Sequence, residues 1–268
     1  MYADHNLARR LERLEGTACA RFVEARAHLK PDSGACWTEI AGTYAMFDTP
    51  ESPITQTFGL GMFEPITPQD LDVIEQFFFS RGAPANHEVS PLAGVELFAL
   101  LVERGYKPIE LTSVLYRPTS EPLEAQINSR ITVRIAEKHE HEMWARVGAQ
   151  GWASEMPEAA EFIWDLGRVI ASKDDTSPFL ADLDGAPAAA GALSLHERAA
   201  LLAGASTIPE ARRHGAQLAL LDARLRFAAA HGCDLAMMCA AVGSSSQRNA
   251  ERNGFRIAYT RVKWSLAA

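Results

Sequence analysis

The chain has 268 residues, a length that suits two domains better than one. Apolar residues make up 47% and charged residues 22% of it, which excludes a disordered, collagen-like or low-complexity protein. The formal net charge of −8 at pH 7 repels phosphate backbones and anionic lipids, so we expect neither nucleic acid nor a membrane as partner. Any bound anion must therefore be held by a local concentration of positive charge.

The start of the chain carries no recognisable targeting segment. Met1–Gly16 has charges every few residues and lacks an apolar core, so we expect neither a secretory signal nor an anchor. No stretch approaches the roughly 18–20 apolar residues that span a bilayer. The four cysteines include no C-x-x-C pair, and Cys233 and Cys239 lie at even spacing in one apolar stretch. We predict buried free thiols, these two on one face of a strand, in a cytoplasmic protein.

The N-terminal half shows a helix and a helix-to-strand junction. Pro68–Ser80 is predicted to be helical, and Leu101–Val114 contains the end of a second helix at Gly105–Tyr106, followed by an extended stretch. Arg117–Asn128 holds two prolines and few large apolar residues, which is typical of a boundary. The predicted domains are 1–120 and 129–268.

The C-terminal half is predicted to alternate strands and helices. Ile131–Ile135 alternates apolar with polar residues, and Asp184–Gly185 supplies the positive φ angles of a tight hairpin turn. Leu218, Leu221 and Leu225 form the apolar stripe of a helix. The predicted strands are 131–135, 179–182, 188–195, 199–207, 233–241 and 255–264. The predicted helices are about 137–150, about 156–172, 217–230, and a short one capped by Ser244 or Ser245 that ends at Gly254.

The two halves resemble each other in the order of their elements. Leu101–Val114 (LVERGYKPIELTSV) and Ala250–Val262 (AERNGFRIAYTRV) both end a helix with glycine and an aromatic residue, then continue into an extended stretch. Pro68–Ser80 corresponds to the helix Gln217–Ala230 upstream of the second junction. This order predicts a duplicated fold. Chance recurrence of a common helix–Gly–aromatic–strand junction is the alternative.

The segment most informative about function is Ser206–Leu221, STIPEARRHGAQLALL. A strand leads into it and a helix leaves it after Gly215, and the first turn of a helix offers unpaired N–H groups and a partial positive charge. Gly215 lets a ligand approach the backbone closely. Arg212, Arg213 and His214 concentrate positive charge in an otherwise acidic chain. The pattern predicts an anion site suited to phosphate.

A solvated surface cluster is the alternative explanation of these basic residues. Positive charge at a helix N-terminus opposes the macrodipole and costs about 0.3–1 kcal/mol per charge. A chain selected for stability alone would carry Asp or Glu there. The cluster therefore favours an anion site over solvated surface.

The same residues resemble a known family. Arg212-Arg213-His214-Gly215-Ala216-Gln217 is similar to the Q/R-x-x-G-x-G/A signature of the GNAT N-acetyltransferase superfamily, written here R-x-x-G-x-Q. Thr207-x-Pro209-x-x-Arg212 resembles that family's strand exit, and Asn249…Gly254–Phe255 resembles its closing helix–Gly-Phe–strand segment. The resemblance covers about Ile131–Trp264.

The resemblance implies a fold and a co-substrate. The fold is α/β with a mixed sheet: two GNAT-like lobes in tandem, each a twisted, mostly antiparallel sheet with helices on both faces, the N-terminal lobe being degenerate. The co-substrate is acetyl-CoA, its diphosphate wrapped by the amides at the helix start and its acyl arm lying where Cys233–Ala241 splays from the strand exit. The residues implied are Ser206, Thr207, Ile208, Arg212, Arg213, His214, Gly215, Ala216, Gln217, Leu218, Asn249 and Arg252.

The sequence departs from the family pattern at positions that concern the chemistry. Gln217 replaces the usual Gly or Ala, so its side chain must point away from the diphosphate or bond to it. The tyrosine that serves many members as general acid falls on Ala250, and an asparagine often found upstream of it falls on Gly243. Glu197 is predicted to be solvated and Tyr259 to lie half-buried on a strand. No catalytic side chain is assigned.

Two further segments are predicted to carry no ligand. Pro65–Asp70, where the duplicated order would place a phosphate loop, has no glycine, no basic cluster and an aspartate that repels phosphate. We therefore predict an N-terminal lobe without cofactor that helps to shape the acceptor cleft. His139 and His141 lie two residues apart and point to different helical faces, so we expect no metal there.

These observations favour an acyltransferase that moves acetyl from acetyl-CoA to an amine by direct attack, without a metal. A non-catalytic acyl-CoA-binding or regulatory protein with the same fold is the alternative, because neither a general acid nor a base is placed. A scaffold without a small ligand would require the basic turn to be accidental. The acceptor is a small-molecule or peptide amine; polyamine, aminoglycoside, amino acid and protein lysine all stay open, as does the oligomeric state.

Overall fold

The computed structural model describes residues 3–124, 126–153 and 157–267. The α-helices in these ranges are α1 (His5–Leu29), α2 (Pro68–Phe79), α3 (Val95–Glu103), α4 (His141–Ala153), α5 (Ala160–Ser172), α6 (Ala216–Ala230) and α7 (Ser245–Arg252). The strands are β1 (Cys36–Ile40), β2 (Thr43–Phe47), β3 (Gln56–Phe58), β4 (Ala85–Val89), β5 (Lys107–Pro118), β6 (Ile131–Ile135), β7 (Thr176–Leu183), β8 (Ala186–His196), β9 (Ala199–Thr207), β10 (Leu235–Ala241) and β11 (Arg256–Leu266). Within the described ranges, no helix combines the length and the apolar character needed to cross a bilayer.

The chain forms two compact units. The first unit contains Met1–Tyr116 and Cys239–Ala268, and the second contains Arg117–Met238. The predicted domains were 1–120 and 129–268, so the prediction assigned residues 239–268 to the C-terminal domain, whereas the contacts assign them to the first unit. The reason is β11, which lies between β4 and β5 in the first unit and pairs with both in antiparallel orientation.

The strand order confirms the predicted duplication and fold class. In the first unit β1, β2 and β3 are antiparallel neighbours, and β4 follows α2 and runs parallel to β3. In the second unit β7, β8 and β9 are antiparallel neighbours, and β10 follows α6 and runs parallel to β9. The second unit adds β6, antiparallel to β7. Each unit is thus a mostly antiparallel sheet with one parallel crossover through a helix.

The helix ends repeat in the same way. After α3, Gly105 has φ 86° and the amide of Tyr106 donates to the carbonyl of Leu101 over 3.0 Å. After α7, Gly254 has φ 82° and the amide of Phe255 donates to the carbonyl of Ala250 over 3.1 Å. Glycine stands at both positions because this closing bond needs a left-handed residue after the helix. The Gly–aromatic junctions of the sequence are therefore equivalent structures.

The elements of the second unit lie close to the predicted ones. Strands β6 and β9 have the predicted bounds, and the hairpin turn between β7 and β8 has φ 52° at Asp184 and 83° at Gly185. The prediction that Cys233 and Cys239 share a strand face is wrong. Cys233 precedes β10, and its amide closes the end of α6 by donating to the carbonyl of Ala228. The structure describes all four cysteines as thiols outside disulfide bonds; Cys233 is buried and the other three are partly buried.

A buried histidine links two strands of the first unit. His87 on β4 lies 2.9 Å through Nδ1 from the hydroxyl of Thr57 and 2.9 Å through Nε2 from the hydroxyl of Tyr106. The Tyr106 hydroxyl donates its proton to Glu75, so His87 Nε2 must be the donor to Tyr106. The Thr57 hydroxyl can in turn donate to Nδ1, so the network accommodates a neutral imidazole. Burial lowers the pKa of His87 from 6.5 to about 3.

This histidine makes stability dependent on acid pH. Between about pH 6.5 and 3 the unfolded chain binds a proton that folded His87 excludes, so the free energy of unfolding falls as the pH falls, by up to about 1.4 kcal/mol per unit. In His87→Gln we expect a flatter dependence below pH 6.5, measured by urea denaturation at several pH values. The exposed His139→Gln is the matched control and should keep the wild-type slope. An unchanged slope in His87→Gln would contradict the neutral, buried imidazole.

Candidate functional site

The second half of β9 is open on one side. The parallel ladder between β9 and β10 runs from Ala199 to Leu201 on β9, whereas β9 continues to Thr207. The register with β8 slips between the pairs Ala192–Ala203 and Ala190–Ser206, which marks a β-bulge in β9. Gly204 within this bulge has φ 61°, and it is exposed together with Ala203. Strand β9 therefore presents backbone to solvent just before its exit.

The turn after β9 places an uncapped helix start at the surface. Arg213 and Gly215 both adopt left-handed conformations, with φ 67° and 91°. Gly215 stands at the N-cap of α6, and among the described residues no side chain caps this helix start. Arg213, His214 and Gly215 are exposed. Among the described residues, the first turn of α6 contains no acidic side chain to offset the partial positive charge of the helix start.

Three side chains hold the turn in this shape. Gln217 Nε2 donates to the hydroxyl of Thr207 over 2.8 Å, so the departure from Gly or Ala at this position ties the helix start to the strand exit. Arg212 Nη2 donates to the carbonyl of Gly151 at the end of α4 over 2.8 Å. Asn128 Nδ2 donates to the carbonyl of His214 over 2.9 Å. The turn is braced from both α4 and the segment before β6.

A cleft of about 440 Å³ borders the turn. One side of it is formed by the segment before β6 and the other by the basic turn and the first turn of α6. Its lining residues are Gln126, Ile127, Asn128, Ser129, Arg213, His214, Gly215 and Leu218. This volume, open beside the exposed residues Arg213, His214 and Gly215, suits a polar anionic group.

The structure brings together most of the residues predicted to contact the cofactor. Those from Ser206 to Leu218 form the strand exit and the turn in the second unit. The amide of Ile208 donates to the carbonyl of Ala188 over 3.0 Å, so this amide is already used within the sheet. Asn249 and Arg252 are exposed on α7 in the first unit. Their part in cofactor binding stays a prediction.

Two residues of the site could not be found from the motif. Asn128 lies far upstream of the turn and supports it through His214. Gly151 packs so closely on the strand exit that a Cβ there would lie 2.5 Å from Ser206 Oγ and 3.0 Å from the amide of Thr207. Ser206 Oγ donates to the carbonyl of Gly148 one turn earlier in α4. The glycines in GAQG, residues 148–151, were the available signal for this close contact.

Tyr259 and Glu197 are the two side chains that the sequence offers as a possible acid or base. Tyr259 is buried and donates its hydroxyl to Glu12 Oε1 over 2.7 Å; burial first, and Glu12 next, hold the pKa of Tyr259 well above its usual range. Glu197 is exposed in the turn between β8 and β9, as predicted. Across the described ranges no three or more His, Cys, Asp or Glu side chains are grouped so as to hold a metal ion.

The corresponding helix start in the first unit is closed by its own side chains. Thr67 caps α2 by accepting from the amide of Asp70, and Asp70 accepts in return from the amide of Thr67 over 2.8 Å. At the end of β3 the amide of Gly59 donates to the buried carboxylate of Glu12 over 3.0 Å. Carboxylates thus satisfy the helix start and the strand exit of the first unit, whereas in the second unit no described side chain caps the start of α6.

The comparisons with known proteins identify the fold. No protein-family model and no curated protein matches the chain. A GCN5-related N-acetyltransferase from Kribbella flavida matches with a TM-score of 0.63 at 19% identity, covering 92% of this chain and 95% of that one. A GCN5-related N-acetyltransferase from Sphaerobacter thermophilus matches with a TM-score of 0.56 at 15% identity, covering 84% of this chain and 76% of that one. A tandem GNAT protein from the clavulanic acid biosynthesis pathway, solved without acetyl-CoA, matches with a TM-score of 0.56 at 11% identity. The match covers 99% of this chain and 96% of that one.

Proposed function

Because the chain has the tandem fold of the GCN5-related N-acetyltransferases, we propose that its second unit binds acetyl-CoA and that the chain transfers the acetyl group to an amine. The observation that carries this proposal is the uncapped start of α6 at Gly215, exposed beside a cleft of about 440 Å³. A helix start that a stable protein would cap is instead open and flanked by Arg213 and His214. Such a start binds phosphate through its amides and its dipole.

The diphosphate of coenzyme A would lie against the amides of Gly215–Leu218. Arg213 would add positive charge from the exposed side of the turn, where His214 lies beside it. Arg212 would act differently, because its guanidinium is engaged with the carbonyl of Gly151 and braces the turn. The open stretch of β9 at Ala203–Gly204 would pair with the arm that carries the thioester.

Acetyl transfer needs little side-chain chemistry once the two substrates are aligned. The neutral amine nitrogen attacks the thioester carbonyl carbon, the carbon–sulfur bond breaks, and the proton lost by the amine balances the thiolate of coenzyme A. Alignment of amine and thioester supplies a large part of the rate, and hydrogen bonds to the carbonyl oxygen stabilise the negative charge that develops there. We assign no general acid or base.

A non-catalytic acyl-CoA-binding protein is the second candidate. It is favoured by the position of Tyr259, whose hydroxyl is buried and bonded to Glu12, and by alanine at position 250. The Tyr259 hydroxyl is thus engaged with Glu12, and position 250 carries no hydroxyl. Neither position therefore offers a free tyrosine hydroxyl to protonate the leaving thiolate.

Release of thiol from acetyl-CoA in the presence of amines separates the two candidates. We expect release with at least one of spermidine, an aminoglycoside, free lysine and a lysine-containing peptide, and loss of that release in Gly215→Val. Calorimetry with coenzyme A accompanies the assay. Binding without release for any of these amines would support the second candidate, whereas absence of binding would overturn both.

A further inference from the structure

A buried guanidinium lies beneath the open stretch of β9. Arg224 on α6 is 4% exposed. Its Nη1 donates to the carbonyl of Ala192 on β8 over 3.1 Å and makes a longer contact of 3.5 Å with the carbonyl of Ala203 on β9. Its Nε donates to the carbonyl of Leu220 within α6 over 3.2 Å. In residues 3–124, 126–153 and 157–267 no carboxylate pairs with it.

This side chain remains charged although it is buried. Burial lowers the pKa of Arg224 to about 10, which still leaves the guanidinium protonated at neutral pH. A buried charge without a counter-ion is costly, and an apolar residue at this position of α6 would avoid the cost. Carbonyl oxygens satisfy its hydrogen bonds but do not neutralise it. The positive charge is therefore presented to the strands above it.

The two strands are shaped around the guanidinium. The bulge in β9 falls between Ala203 and Ser206, and the facing residue of β8 is Gly191. A Cβ at Gly191 would lie 3.1 Å from Arg224 Nη1 and 3.2 Å from its Cζ, so glycine is what leaves room for the group. The left-handed Gly204 allows the bulge on the opposite strand. The two glycines and Arg224 form one local arrangement.

The peptide between Ala203 and Gly204 connects this arrangement to the ligand site. The structure has no cis peptide bond among its described residues, so the carbonyl of Ala203 and the amide of Gly204 point in opposite directions. Because the carbonyl faces Arg224, the amide faces away from it. Both residues are exposed and lie beyond the end of the ladder with β10. A guanidinium charge 3.5 Å from a peptide carbonyl polarises that peptide electrostatically, and this makes the amide of the peptide a stronger donor.

We propose that Arg224 is a positioning residue for acetyl transfer, which holds the β9 bulge and polarises the Ala203–Gly204 peptide so that the Gly204 amide binds the thioester carbonyl oxygen more strongly as negative charge develops. This inference rests on the proposed function. It assigns to Arg224 an effect on the transfer step and not on the affinity for coenzyme A. The diphosphate of coenzyme A would lie at the start of α6, away from the β9 bulge.

Isotope-edited infrared spectroscopy of acetyl-CoA carrying ¹³C at the thioester carbonyl tests the inference without a known acceptor. The carbonyl stretch of the bound wild type should lie below that of free acetyl-CoA, because hydrogen bonding weakens the bond. In Arg224→Met it should return toward the free value while the calorimetric affinity for coenzyme A is kept. With an amine that supports thiol release in the wild type, the rate of release should also fall about tenfold, equivalent to about 1.4 kcal/mol.

Two further variants distinguish the loss of peptide polarisation from a general loss of folded structure. Arg224→Lys keeps a charge and a donor and should retain part of the infrared shift; it also carries the test if Arg224→Met does not fold. Arg226→Met, on the exposed side of the same helix where Arg226 is 78% exposed, should behave as wild type. An unchanged carbonyl stretch in folded Arg224→Met with bound acetyl-CoA would overturn this inference alone. Failure of the wild type to bind acetyl-CoA would overturn the proposed function, and this inference with it.

Discussion

Gly215→Val is expected to weaken coenzyme A binding by at least about 100-fold, or about 2.7 kcal/mol, while the protein stays folded. Gly215 has φ 91°, a conformation in which a β-branched residue is an outlier. Valine must therefore move the backbone at the start of α6, and the amides of the first helical turn move with it. Each lost amide contact to a diphosphate oxygen is charge-assisted, so the losses accumulate. Isothermal titration calorimetry measures the effect.

The other end of the same helix supplies the matched control. Gly232 follows α6 and has φ 79°, and a Cβ at this position would meet no atom of the described residues within 4 Å. Gly232→Val therefore introduces similar backbone strain without steric conflict. It should lower stability to a similar degree and leave coenzyme A binding unchanged. Equal binding by the two valine variants would remove the Gly215 turn from the proposed site.

Charge reversal tests the same turn by a second route. Arg213 is exposed at the cleft, whereas Arg212 is engaged with the carbonyl of Gly151. Arg213→Glu therefore changes the electrostatics of the cleft with the least change in structure, and Arg212→Glu also removes a brace. Arg226→Glu, exposed further along α6, is the control for net charge. Weaker coenzyme A binding in Arg213→Glu than in Arg226→Glu is the expected order.

Arg261→Met is expected to destabilise the first unit by about 3–5 kcal/mol, the range for breaking a buried ion pair from one side. Arg261 on β11 is 1% exposed, and its Nε donates to Glu12 Oε1 over 2.8 Å. Burial by itself would lower the pKa of Arg261, but Glu12 and Glu15 hold it well above its usual range. Methionine fills similar volume and leaves the fully buried Glu12 carboxylate without its cation. Urea denaturation measures the loss.

A double variant and an exposed pair show whether the buried charge is the cause. Glu12→Gln combined with Arg261→Met should be less destabilised than Arg261→Met alone, because no uncompensated charge is left inside. Arg130→Met removes an exposed partner of Asp184 and should leave the free energy of unfolding almost unchanged. A loss in Arg261→Met no larger than in Arg130→Met would contradict the account.

The elements that form the candidate site were predictable where their sequence signals are local. The β9 strand, the basic turn and the helix after Gly215 follow one another in the chain, and the positive charge at a helix start, which stability alone does not explain, marked the turn. The repeat was predictable for the same reason, since Gly105–Tyr106 and Gly254–Phe255 each close a helix through bonds within a few residues.

The parts that escaped prediction depend on contacts between distant residues. The unit boundary was missed because β11 pairs with β4 and β5, and a strand pattern does not reveal its partners. Asn128 and Gly151 support the turn from other elements. The bond between Glu12 and Arg261 joins side chains 249 positions apart. Arg224 was hidden in a helix whose apolar stripe gave no reason to expect a buried charge.

Titration of coenzyme A into ¹⁵N-labelled protein, followed through backbone amide shifts, tests the central claim most directly. We predict the largest shifts for Gly215, Ala216, Gln217 and Leu218, whose amides face the proposed diphosphate. The amides at the start of α2, capped by Thr67 and Asp70, should stay unmoved. Amides of residues 215–218 that shift no more than those of α2 at saturating coenzyme A would contradict the account.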